Sequence, residues 1–386
     1  MSTTRRGTPD FVLLFLTIAL VGFGLVMVFS ASYSITYSED PLLYTKKQAV
    51  FAVLGIAVMF IVMNIPYAAL KKLFIPLFLF SFLLLVLVLV FGEEVNGARS
   101  WFRFGPFGFQ PTELAKIGLL AYLATIIPKK GDKFRQFKNG LLPVLIVTGA
   151  VCLLIVLQND LGSMLIVFAT AGVVIMIGGA RFKHLFALAG SAAVIGGGVI
   201  LRELLFREDG QTSYRIRRLT SFLDPWKDAQ GDGYHLIQSW YALGHGGWSG
   251  AGFGRSIQKL HYLPYAHNDF IFAVIGEELG FIGASVFMLV YLLFLWRALL
   301  VALRCRDLSG TLIGSGIVVL FFLQMLVNIG GVTGAIPITG VTLPFISYGG
   351  SSLLSSMLGV GILLCISREN NKLEKQKNDG LAAADS

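Results

Sequence analysis

The run Leu263-Pro-Tyr-Ala-His-Asn-Asp269-Phe-Ile-Phe-Ala-Val-Ile-Gly-Glu277-Glu278-Leu-Gly280 puts one acid, Asp269, at the mouth of an apolar span, and two more about two helical turns deeper. A carboxylate at the centre of a bilayer costs about 3 kcal/mol or more, so ionisable groups in such a span mark a pathway or a reaction centre. The stretch therefore reads as part of a membrane protein whose working end lies where this span meets water. At about 1.5 Å per residue, Glu277 and Glu278 sit about 12 Å along the helix from Asp269. That distance suits them to holding neighbouring helices through hydrogen bonds. Asp269 stands at the loop-to-helix boundary, within reach of a polar substrate; as a purely local element it would cap the helix that follows.

Composition agrees. The chain has 386 residues, 55% hydrophobic and 14% charged, with mean hydropathy +0.74. A soluble domain carries about 25% charged residues, so most of this chain faces lipid or other helices. Ten apolar runs read as spans: 11–30, 48–66, 73–92, 113–128, 140–158, 161–180, 184–203, 269–296, 309–330 and 351–368. The expected fold is an all-α polytopic membrane protein with ten transmembrane helices. The first run lacks a small-residue cleavage site and reads as a retained helix. Asn159-Asp160 parts the fifth and sixth runs as a tight surface turn, where Asp160 reads first as a helix cap. The polar segment 204–268, between the seventh and eighth runs, is too long for an ordinary connection. Cys152, Cys305 and Cys365 share neither a pairing pattern nor a metal spacing.

The net charge of +9 does not point to nucleic acid, because the basic residues fall between the apolar runs. With the N-terminus inside, eighteen of the 31 Lys and Arg residues lie on short inner loops and tails, as the positive-inside rule requires. Ten spans then return the C-terminus to the cytoplasm, where the charged tail 369–386 reads as disordered. Arg99, Arg103, Arg215, Arg217 and Arg218 fall outside, against the rule. They suit either anionic headgroups or an extracytoplasmic site for a phosphate-bearing ligand, since a guanidinium fork binds two oxygens in one plane.

Three outer segments carry the candidate chemistry. In the first, aromatics among arginines and glycines from Asn96 to Phe109 suit a re-entrant or interfacial segment. Gln110-Pro-Thr-Glu113 then reads as a helix start, with Pro111 in the first turn and Glu113 able to reach back as in a capping box. Glu113 and Lys116 are three apart and can pair as the chain enters the membrane; Lys116 would also lend positive potential to a cavity. In the second, the glycine run 244–254 lacks a preceding strand and a Gly-Lys-Ser/Thr ending, so it matches a nucleotide loop only weakly. These glycines suit tight folding or close approach to a ligand. His235, His245 and His261 show no zinc-ligand spacing. The third runs from Gly334 through Pro337, Thr342, Pro344, Ser347, Gly349 and Gly350 to Ser352. It reads as broken helix, tolerated at membrane depth only beside protein or a watery cavity, and is expected to line the same cavity as Arg99 and Asp269.

Five of these motifs, in this order and spacing, resemble the signatures of the SEDS family (shape, elongation, division and sporulation). They are Asn96-Gly-Ala-Arg99-Ser-Trp101, Gln110-Pro-Thr-Glu-Leu-Ala-Lys116, Tyr262-Leu-Pro-Tyr-Ala-His-Asn-Asp269-Phe-Ile-Phe, Gly276-Glu-Glu-Leu-Gly280 and Pro344-Phe-Ile-Ser-Tyr-Gly-Gly-Ser-Ser352. The resemblance spans about residues 11–368 and is closer to the FtsW and SpoVE branches than to RodA. It implies a GT-C-like fold with a large extracytoplasmic loop at 204–268, and a peptidoglycan glycosyltransferase that polymerises lipid II. Implied partners are a class B penicillin-binding protein transpeptidase and other divisome or elongasome membrane proteins. The catalytic acid falls on Asp269, and the cavity positions on Arg99, Gln110 and Lys116, with Glu113 as partner of Lys116. Relatives often carry Glu at Tyr265, Thr at Asn268 and Gln at His235; these departures leave Asp269 in place and point to different activation or partner contact.

The implied chemistry fits the residues. The donor sugar is α-linked to undecaprenyl pyrophosphate and the new bond is β, so in-line inversion is expected. An inverting hydrolase needs an acid and a base, but a pyrophosphate departs unprotonated if its charge is stabilised. Asp269 would be general base for the acceptor hydroxyl. Arg99 and Lys116, with Arg215, Arg217 or Arg218, would stabilise the leaving group, with Ser347, Gly349 and Gly350 beside the substrate. A divalent cation, Mg or Mn, could share that task. The rival reading is a lipid II flippase, which would need charges along the whole path and not at one face.

Overall fold

The computed structural model describes residues 7–34, 40–95, 98–105, 107–181, 183, 190, 221–231, 233–260 and 262–384. Among these, ten α-helices are present: α1 Phe11–Ser32, α2 Leu43–Asn64, α3 Tyr67–Phe91, α4 Pro111–Lys130, α5 Leu142–Leu157, α6 Leu161–Ile177, α7 Tyr234–Gly246, α8 Ile271–Leu303, α9 Leu308–Thr333 and α10 Gly350–Ala384. Nine of them match nine of the ten apolar runs. The seventh run, 184–203, falls outside the described residues except at 190, as do Arg215, Arg217 and Arg218. Seven helices among the described residues are long and apolar enough to cross a membrane. Of the other matched helices, α6 has 17 residues, and α4 carries Glu113, Lys116, Lys129 and Lys130.

All-α needs one correction. Residues read as interfacial or re-entrant form a three-stranded antiparallel sheet, β1 Glu93–Val95, β2 Ala98–Phe104 and β3 Phe107–Phe109. In β2, Arg99, Trp101 and Arg103 fall on one face and Ala98, Ser100 and Phe102 on the other, which gives the strand two different faces. Phe102 pairs with Phe109. Gly108 lies under the Trp101 ring, where a Cβ would come within 3.1 Å of the indole.

The start of the described chain meets α10 around Arg368 at one end of the bundle. Asp10 caps α1 through Leu13 N at 2.9 Å and pairs with Arg297 at 2.8 Å. Arg368 donates to Gly7 O at 3.1 Å and to Met63 O at 2.9 Å, and Asn371 donates to Thr8 O. The segment read as a disordered tail is helical as far as Ala384. Leu373, Glu374, Lys375, Gln376 and Lys377 are strong helix formers, and the Arg368 and Asn371 contacts fix the start of that extension.

The eighth run also differs. Helix α8 is broken at Gly280, with φ 70° and ψ −173°. Residues 271–278 are buried on every side, whereas Phe281, Ile282, Val286, Leu289 and Trp296 are exposed. The lipid-facing part is therefore 281–303, about 34 Å at about 1.5 Å per residue, enough to span the hydrocarbon. Backbone freed by the break is satisfied by the loop after α7. Ala251 N donates to Glu277 O, Gly252 N to Glu278 O, Phe281 N to Gly247 O and Ile282 N to Trp248 O, at 2.9–3.1 Å. Gly250, at φ +83°, lies so close that a Cβ would meet Glu278 O at 2.2 Å. The loop glycines thus serve close approach of backbone to α8.

Between α9 and α10, Phe345 holds the irregular segment in place. Its ring centroid lies 5.2 Å from those of both Phe294 and Phe321. Phe345 is 2% exposed and adopts φ 68°, a conformation costing a non-glycine residue about 1–2 kcal/mol that aromatic burial offsets.

Candidate functional site

The end of the bundle away from the termini gathers α9's last turns, the segment after it and the loop that precedes α8. Asp269 lies there, half-buried. The N-cap position of α8 is Phe270, directly after Asp269, and it makes no side-chain cap bond. Asp269, Val327, Asn328, Gly331, Thr339 and Gly340 are among the residues lining a small cleft. Gly340, at φ +75°, lies so near that a Cβ would stand 3.5 Å from the Asp269 Oδ2. Asn328 donates from Nδ2 to Asp269 O and to Val341 O, both at 2.8 Å. One amide thus ties the two walls of the cleft together.

The loop carrying Asp269 is anchored at its other end by the two deeper acids. Glu277, fully buried, accepts from Ser256 Oγ, from Ile257 N at 2.8 Å and from His245 Nδ1 at 2.9 Å. Glu278 Oε1 accepts from Lys259 Nζ at 2.7 Å and Ser30 Oγ at 2.6 Å, and Lys259 also reaches Ser30. These carboxylates hold a loop as well as neighbouring helices. Spacing gave no sign of the His245–Glu277 pair, because the α8 break brings those segments together. Between the anchors, His267 packs against Tyr44 and Tyr348, with centroids at 4.5 and 5.6 Å. Burial pushes its imidazole down to about 4.

Gln110 N-caps α4 with Pro111 in the first turn, but no capping box forms. The Gln110 N–H that Glu113 would take goes instead to Ser351 Oγ at 3.0 Å. Glu113 pairs with Lys116 at 2.7 Å, both side chains nearly sealed from solvent. Gln110 Nε2 approaches Asp160 Oδ2 at 3.4 Å. Asp160 caps α6 through Ser163 N at 2.9 Å. Gly162, two residues on, packs against Thr339, so a chain of contacts runs from Gln110 to the Asp269 cleft.

The remaining positions divide. Ser347 is buried, its hydroxyl accepting from Leu343 N at 2.8 Å, and Gln48 clamps Ser347 O and Gly349 N, each at 3.2 Å. Gly350 opens α10 against the Phe51 ring. Arg99 is exposed on β2, and neither it nor Lys116 lines the cleft. The structure thus brings Asp269 together with 338–341 and connects it to Gln110 through α6; it leaves Arg99 exposed on the sheet and commits Lys116 to Glu113. Among the described residues no group of three or more His, Cys, Asp and Glu side chains could hold a metal ion. A protein cage for Mg or Mn does not form from them. Asn328 was missed in the sequence, where its one signal was a lone amide in the apolar run Met325-Leu-Val-Asn328-Ile.

Comparison with known proteins completes the picture. The FtsW/RodA/SpoVE family profile, described as "Cell cycle protein", matches residues 11–372. Stage V sporulation protein E of Bacillus subtilis (strain 168) is 41% identical over 371 residues, covering 95% of this chain and 99% of its own. A probable peptidoglycan glycosyltransferase FtsW of Geobacter sp. (strain M18) is 40% identical, covering 93% of this chain and 96% of its own. Among solved structures, a chain from work on polymerization and crosslinking by a peptidoglycan synthase complex matches with TM-score 0.78 and 35% identity, over 94% of this chain and 98% of that one. Rod shape determining protein RodA of Thermus thermophilus matches with TM-score 0.68 and 32% identity, over 94% and 97%.

Proposed function

The chain belongs to the FtsW/RodA/SpoVE family, and on that premise we propose that it is a multi-pass membrane peptidoglycan glycosyltransferase that polymerises lipid II. The observation that carries the reading is Asp269, half-buried and lining a cleft at the end of the bundle away from the termini. The protein has ten spans, with both termini cytoplasmic and the cleft on the outer face; the meeting of Gly7 with Arg368 at one end supports an even number.

Asp269 accepts the proton of the acceptor sugar hydroxyl as that oxygen attacks the donor's anomeric carbon, and the undecaprenyl pyrophosphate leaves on the opposite side. Arg99, on the exposed sheet, and Arg215, Arg217 and Arg218, outside the described residues, stabilise the departing diphosphate. Lys116 contributes through its ion pair, which keeps the start of α4 and hence Gln110 in place. A divalent cation, if bound, supplies further charge to the diphosphate. The 334–349 segment, with Ser347 and Gly349 held by Gln48, forms the wall opposite Asp269 and contacts substrate through its surface residues. A class B penicillin-binding protein transpeptidase works beside the chain; the fold shared with a chain of a peptidoglycan synthase complex supports that partnership.

The test is reconstitution of the purified protein and its transpeptidase with labelled lipid II. Wild type yields glycan polymer, whereas Asp269→Ala yields none and still binds the partner. Transbilayer movement of lipid II without polymer would overturn the reading in favour of a flippase.

A further inference from the structure

Helix α9 places one amide among apolar neighbours at the cleft. Asn328 is 4% exposed. Both hydrogen bonds from its Nδ2 go to carbonyls, Asp269 O and Val341 O. Two carbonyl partners require the nitrogen on that side, so the network fixes the amide orientation. The other amide atom, Oδ1, is buried and receives no hydrogen bond from the protein, while Asn328 lines the cleft beside Asp269. A buried acceptor without a donor costs about 1–3 kcal/mol. A residue serving only to tie two walls together would have no reason to carry that cost.

We propose that Asn328 both positions Asp269 and binds substrate: Nδ2 fixes the Asp269 backbone against the 338–341 wall, and Oδ1 accepts a hydrogen bond from a hydroxyl or amide N–H of the acceptor aminosugar. This rests on the assignment of Asp269 as base. Asp269 and Asn328 both line the cleft, and each carries acceptor oxygens. The matching ligand surface is donor-rich, which describes the hydroxyls and N-acetyl N–H of a saccharide. It excludes the fully ionised diphosphate, which has no donor to give. The cleft is thus the sugar subsite, and the leaving group lies toward the arginines. Through its two carbonyl contacts Asn328 sets how far the Asp269 carboxylate stands from the attacking hydroxyl, and displacement by about 1 Å costs on the order of 100-fold in rate.

The experiment compares steady-state polymerisation of lipid II by the full-length protein with its transpeptidase, as wild type, Asn328→Asp, Asn328→Ala and Asp269→Ala. Asn328→Asp keeps acceptor oxygens but loses both donors; kcat falls at least about tenfold with KM for lipid II within about twofold. Asn328→Ala loses both functions; kcat falls similarly and KM rises at least about fivefold. Partner binding and a wild-type elution profile establish that each variant is folded. Should Asn328→Ala fail those checks, Asn328→Ser takes its place with the same expected rise in KM. Wild-type kcat in both variants overturns the positioning role, and equal KM values for the two overturn the Oδ1 contact. Polymer from Asp269→Ala, or none from wild type, instead removes the base assignment on which the inference stands.

Discussion

Removing Lys259 should be among the most destabilising single changes available to this protein. Its ammonium is 6% exposed and meets a fully buried Glu278 at 2.7 Å, with Ser30 as the shared hydroxyl partner. One carboxylate oxygen, Oε2, has no hydrogen-bond partner, so Glu278 depends heavily on this one cation. Breaking a buried pair by removing one member typically costs about 3–5 kcal/mol, because the survivor keeps its desolvation penalty without its attraction. Replacing both members by apolar groups of similar volume is often neutral. Lys259→Met should therefore lose about 3–5 kcal/mol, and the double variant Lys259→Met/Glu278→Leu should recover most of it. Unfolding titrations in mixed micelles of wild type, both single variants and the double variant form the required cycle. A Lys259→Met loss below about 1 kcal/mol, or a double variant as unstable as the two losses summed, would refute the argument that burial makes the pair interdependent.

Gly340→Ala puts a side chain on backbone at φ +75°; it should lose about 1–2 kcal/mol in the same unfolding titrations, and an unchanged stability would count against that strain. For His267, the folded imidazole is pushed down to about 4 from 6.5 by burial, between Tyr44 and Tyr348. The unfolded chain then binds the extra proton first, so this residue's contribution is complete above about pH 6.5 and is lost as pH falls toward about 4. Unfolding midpoints across pH 4–7.5 should slope less in His267→Phe than in wild type, and an equal slope counts against the buried neutral ring.

Helix positions were readable because span length and apolar runs are properties of local sequence. The acids were readable as well, since a charge inside such a run is conspicuous. What escaped was set by distant segments. Nothing within 269–296 announces that Gly280 turns out of the helix, because the carbonyls and amides it frees find partners at 247–252. Likewise Glu113 looked ready to cap α4, yet Ser351, more than two hundred residues away, takes the Gln110 N–H. The sheet at 93–109 was hidden because short strands rich in aromatics share their composition with interfacial helix. Asp160 fared better, its capping geometry being encoded within three residues.

The break at Gly280 separates α8 into two mechanical regimes. Residues 271–278 touch only protein, while 281–303 meet the lipid annulus. When the bilayer thins or thickens, a continuous helix would convey its tilt along the whole axis. Here the helix turns at Gly280, the 247–252 loop bonds to both sides of the turn, and the short inner piece is moored to Ser30, Ser256 and Lys259. Asp269 thus precedes a piece of helix held by protein on every side, and a change in bilayer thickness would act on the proposed site only through that moored segment.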